Sequence, residues 1–191
     1  MPTKATKPLA HDHAALDEVL NQLQTALERG DVAASHSKLD LFWARLAVHI
    51  RAEHLHLFPA IIDSSSCSSG EQTLAFTLDE AQSTVGRLRA DHDFFMHELA
   101  QAIGILRDLL KATNRNAIDE GTRTVRDTVL EIEKRLGIHN ELEENKIYRW
   151  ATTILDEQEQ TDLANRIHAE LANRPPRFSL NAWSNRLPIG L

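Results

Sequence analysis

The chain holds a single cysteine, Cys67, in 191 residues. That excludes an intrachain disulfide framework and any multi-cysteine zinc or iron–sulfur site. Glycine and proline are scarce at 7 and 6, so little interrupts regular structure. No run approaches the roughly 20 apolar residues that a bilayer requires, which excludes a membrane span. No dense Lys/Arg block occurs and the formal net charge is -7, which argues against a nucleic-acid or anionic-membrane surface. The opening stretch, MPTKATKPLAHDHAAL, has lysines without an apolar core segment, so the expected location is the cytoplasm.

What remains is an ordinary soluble composition, 42% hydrophobic and 26% charged, on a length that suits one domain. Richness in Leu, Ala and Glu with widely spaced breakers predicts an all-α chain. Helices are expected at about 8–29, stopped by Gly30; 31–58, stopped by Pro59; 71–112, closed by TNRN; 116–153; and 156–173, with Asp156 as N-cap. IIDSSSCSSG reads as a small-residue loop in which Cys67 is incidental or a sensing thiol. Residues 1–173 then form the helical domain. Residues 174–191, with two adjacent prolines, form an extended tail whose Phe178 and Trp183 dock on the bundle or reach another subunit, leaving a monomer or a homodimer open.

Each of the four long helices carries an apolar stripe at steps of three and four. Burying four such stripes together predicts an antiparallel up-down four-helix bundle with an extra C-terminal helix. Every stripe is interrupted by a histidine. The first reads Leu9, His13, Leu16; the second Leu46, His49, Glu53, Leu57; the third Leu88, His92, Phe95; the fourth Leu136, His139, Glu143, Ile147. His49/Glu53 and His139/Glu143 share the i, i+4 spacing that puts both side chains on one helix face. The chain thus nearly repeats itself, and packing the halves together brings His13, His49, Glu53, His92, His139 and Glu143 to one level of the interior.

Ionised carboxylates in an apolar core are costly unless paired or metal-bound, and no lysine or arginine shares these stripes. A cation meets the need. Four imidazoles and two carboxylates without a thiolate suit iron, with manganese or zinc as substitutes. If both glutamates bridge two irons and each iron takes two imidazoles, positions stay open for a bridging oxide, water or a small molecule such as dioxygen or nitric oxide. His56, three residues after Glu53, has the i, i+3 spacing of a further ligand, but the matching place in the second half is Lys146; otherwise it supports a ligand from behind. His11 and His54 lie off the stripes and His97 on a polar side, so all three are expected at the surface. Tyr148 and Trp150 close the core, gate access or carry an electron.

In this order, His, HxxxE, His, HxxxE, the motifs resemble the hemerythrin-like HHE cation-binding family over about residues 9–153, with HIRAEHLHLFPA similar to its second-helix signature. The resemblance implies a four-helix bundle around a non-haem di-iron centre, oxo- or hydroxo-bridged, held by the same six residues. It further implies binding or reduction of dioxygen, peroxide or nitric oxide, with an electron donor the sequence does not name. Oxygen-carrying members have a second histidine four residues after the first on the third helix and end the fourth in HxxxxD. Here Met96 and HNELE stand in those places, closer to the four-histidine, two-glutamate subgroup typified by iron–sulfur cluster repair proteins. That subgroup makes a non-enzymatic role in iron or oxygen sensing, iron storage or cluster repair the alternative to an enzyme.

Overall fold

The computed structural model describes residues 4–67 and 76–175. The expectations for the Cys67 thiol, for the segment up to Gly70 and for the tail beyond Pro175 lie outside the side chains and residues described. Helix α1 (Lys7–Glu28) opens with Pro8, whose missing N–H costs nothing in a first turn. It ends where Gly30 takes a positive φ of 64°, which glycine adopts freely; Gly30 N–H donates to Leu27 and Asp31 N–H to Ala26, closing the last turn. Asp31 then caps α2 (Val32–Ala52) by accepting from Ala34 N–H at 2.9 Å. One residue therefore ends one helix and begins the next.

Helix α2 does not stop at Pro59. It widens into a π-turn over Glu53–Leu57 and continues as α3 (Phe58–Cys67), so much of the expected loop is helical. Proline breaks an α-helix because it lacks an N–H and its ring meets the carbonyl four residues back. Here the coil is already opened into i→i+5 bonding over the residues before Pro59, with Phe58 N–H donating to Glu53, and the rod runs on.

Helix α4 (Leu78–Leu109) is capped by Thr77, and Asp79 and Glu80 in its first turn complement the helix dipole. Helix α5 (Arg115–Leu142), capped by Asn114, widens into a second π-turn over Glu143–Ile147 and continues as α6 (Tyr148–Ile154). Asp156 caps α7 (Glu157–Ala172) as expected, and with Glu159 it forms a capping box.

In the bundle α1 packs on α2 and α5, and α4 packs on the same two, which closes a ring of four. Helix α7 lies outside the ring against α1 and α2. The apolar interior comes in two blocks. One contains Leu9, Leu57, Phe58, Leu88, Ile147 and Tyr148; the other contains Leu16, Leu46, Phe95, Leu99, Ile132 and Leu136. Each fully buried leucine or phenylalanine contributes about 1.5–3 kcal/mol. The layer between the blocks is polar and needs another source of stability.

Candidate metal centre

That layer is where the interrupted stripes meet. His13 comes from α1, His49 from the end of α2, His92 from α4 and His139 from the end of α5. Glu53 and Glu143 are the first residues of the two π-turns. All six are at most 5% exposed. They fall into two groups whose candidate ligand atoms lie within 4.8 Å of one another: His13, His49, Glu53 and Glu143, and Glu53, His92, His139 and Glu143. Both glutamates belong to both groups.

The distances show how they are shared. Glu53 places Oε1 3.2 Å from His49 Nε2 and Oε2 3.2 Å from His92 Nε2. Glu143 places Oε1 3.3 Å from His139 Nε2 and Oε2 3.3 Å from His13 Nε2. Each carboxylate thus turns one oxygen to each histidine pair. Within the pairs, the Nε2 atoms of His13 and His49 are 3.1 Å apart, and those of His92 and His139 are 3.0 Å apart. Two imidazoles bound side by side to one ion, with metal–nitrogen bonds of about 2.1 Å, set their nitrogens about 3 Å apart.

None of the four carboxylate oxygens is satisfied by a hydrogen bond, although all are buried. Such groups are expensive unless charge or metal compensates them. Their charge also acts on the imidazoles that face them. Burial by itself pushes His49 down, but the charge of Glu53 and the hydrogen bond with Asp12 outweigh it and raise His49 to about 10. His139 is raised in the same way, against burial, chiefly by Glu143. Burial pushes Glu53 up, and His49 and His92 pull it well below the usual carboxylate range. The donor set, four neutral-capable imidazoles and two carboxylates with orphaned oxygens, fits a pair of cations.

Behind each imidazole stands a second polar group. His49 Nδ1 lies 3.2 Å from Asp12, which accepts from Arg45 Nε at 2.9 Å. In the other half His139 Nδ1 lies 3.4 Å from Asp91, which accepts from Arg135 Nε at 2.8 Å. His13 Nδ1 is 3.2 Å from Glu144, and His92 Nδ1 is 2.9 Å from His54. The sequence does carry a signal for these partners. Arg-x3-His-x3-Glu occurs at 45–53 and again at 135–143, and an Asp precedes both His13 and His92. Reading only apolar stripes passes over it, because arginines and aspartates beside a stripe look like a solvated edge.

His54 is half-buried against His92, which corrects its expected place at the surface. An i→i+5 turn rotates less per residue than an α-helix, so the residue after Glu53 is carried less far from the interior. His56 joins neither group. Tyr148, fully buried, stacks on His13 and puts its hydroxyl 3.5 Å from His13 Nε2; burial, with Glu143 and Glu53, holds that hydroxyl firmly protonated. Trp150 packs against Phe76 at 4.1 Å between ring centres, in the core.

A four-helix bundle with paired His/Glu groups across its axis defines a class of metal-binding helical proteins. The profile described as Hemerythrin HHE cation binding domain matches residues 4–151, and the chain belongs to that family. No curated protein and no solved structure matches it significantly. Among the described residues no helix is long and apolar enough to cross a membrane.

Proposed function

We propose that the chain holds two non-haem irons, with His13 and His49 on one, His92 and His139 on the other, and Glu53 and Glu143 bridging, and that it binds or reduces dioxygen, peroxide or nitric oxide. The observation that carries this reading is the splitting of both carboxylates between the two histidine pairs. Bridging carboxylates suit ions held close together, and a nitrogen- and oxygen-rich set without thiolate suits iron, with manganese or zinc able to substitute. Iron supplies one-electron redox chemistry toward a small oxidant. The chain supplies the rest: apolar blocks on either side exclude bulk water, the second polar groups orient the imidazoles, and Tyr148 offers a buried hydroxyl beside His13.

Metal analysis and an absorption spectrum of aerobically purified protein test the reading. The expected result is two irons per chain with charge-transfer bands of an oxo- or hydroxo-bridged ferric pair. After anaerobic reduction, multiple-turnover consumption of peroxide or nitric oxide supports an enzyme. Protein that emerges without iron and takes none up would overturn the proposal.

One contact favours a second reading, in which iron occupancy is sensed. Asp12, behind His49, also lies 3.6 Å from Arg174, whose Nε donates to Leu171 at the end of α7. A change at His49 is thereby connected to the chain's last described turn. Hydrogen exchange in α7 that responds to iron, without turnover, would select this role.

A further inference from the structure

The two halves match at the aspartate and arginine behind His49 and His139, and differ in two groups that stand against His13 and His92. The residue after each glutamate stands behind the histidine of the opposite half: it is Glu144 behind His13, but His54 behind His92. Five residues after each glutamate an aromatic ring stacks on that same histidine: Tyr148 on His13 at 6.1 Å, but Phe58 on His92 at 6.0 Å. The fold is two-fold symmetric here and the chemistry is not.

Building on the dinuclear reading above, we propose that the two positions are inequivalent, with the His13–His49 position holding its ion more tightly and filling first. An imidazole that binds metal through Nε2 carries its proton on Nδ1. A carboxylate accepting that proton fixes the tautomer, orients the ring and leaves more electron density at Nε2 than a neutral imidazole acceptor does. Both rings of the His13–His49 position have such a carboxylate, Glu144 and Asp12. The His92–His139 position has one, Asp91, at the longer 3.4 Å, and an imidazole, His54, in place of the second.

Formal charge further out does not create the difference, since the extra arginine stands on the His13–His49 side and opposes it. Asp12 faces Arg45 and Arg174, and Asp91 faces Arg135, so each aspartate is already countered. Arg89 lies over the Phe58 ring, on the His92 side. The distinction rests on which group accepts from His13 and from His92.

Stepwise uptake alone would follow from repulsion between two cations, so single-position variants decide the matter. Metal-free protein is titrated with Co(II) under calorimetry, with visible absorption reporting coordination and circular dichroism confirming the fold. H92Q, which keeps the His13–His49 position, should bind its first ion with the wild-type tight constant. H13Q, which keeps only the other, should bind on the order of tenfold or more weakly. Adding H54E to H13Q should recover most of that loss, and adding E144Q to H92Q should weaken its tight step. Equal constants for H13Q and H92Q, tighter binding by H13Q, or no recovery with H54E would overturn the inequivalence while leaving a dinuclear site standing. Absence of Co(II) uptake by the folded wild-type chain would overturn both.

Discussion

Asp12 stands between a histidine and an arginine: one oxygen lies 3.2 Å from His49 Nδ1, and the other accepts from Arg45. The aspartate comes from α1 and the histidine from α2, so this contact locks the α1–α2 pair at the depth of the metal layer. Asp12→Asn removes the charge and keeps the shape. Metal affinity at the His13–His49 position should fall by about 10- to 100-fold, since partners behind a ligand act on that scale. Competition with a chelator of known affinity measures it. Unchanged affinity would mean that Asp12 serves the fold alone.

Glu53→Ala combined with Glu143→Ala should abolish tight binding of iron while leaving the bundle helical. The four buried oxygens without hydrogen-bond partners disappear, and so does the means of joining two ions. Metal analysis alongside far-ultraviolet circular dichroism reads both outcomes. Two irons retained by the double variant would refute the ligand assignment.

Metal uptake should expel protons near neutral pH. His49 has a pKa raised to about 10 in the metal-free fold against about 6.5 unfolded. Its stabilising effect is therefore fully present below about pH 6.5 and is lost as pH rises through about 10. Glu53, held low, contributes in the opposite direction: its effect is present above the ordinary carboxylate value and is lost as pH falls below it. A cation replaces the proton on His49, so apparent affinity should climb between about pH 7 and pH 10. Calorimetry in buffers of different ionisation enthalpy counts the released protons, and a value of zero would contradict a protonated His49.

Removing metal with a chelator should lower the melting temperature. An ion present at about 1,000 times its dissociation constant stabilises the fold by about 4 kcal/mol. In a chain of this length that corresponds to a shift on the order of 10 °C. A melting curve indifferent to chelator would mean that no ion contributes to the fold.

The bundle and its six interior polar residues were legible because periodicity reports on burial. His13 falls between Leu9 and Leu16, and His92 between Leu88 and Phe95, so each histidine inherits the direction of its apolar neighbours. The π-turns were not legible. They begin at Glu53 and Glu143, and no residue type announces an i→i+5 bond. Missing them also misplaced the end of α2 at Pro59 and left His54 at the surface. The supporting aspartates and arginines were readable in principle, through the repeated Arg-x3-His-x3-Glu pattern, but they require the two halves to be compared with each other instead of with a helical wheel.

The crossing of the glutamates has one more consequence. Glu53 belongs to the α1–α2 pair and reaches His92 on the other pair, while Glu143 makes the reciprocal reach to His13. Neither hairpin carries all six residues, so if the site holds two cations as proposed, prising the hairpins apart would take one carboxylate oxygen from each. Each hairpin would keep two histidines and one glutamate, His13, His49 and Glu53 on one side and His92, His139 and Glu143 on the other, so separation would weaken both positions together without emptying them outright.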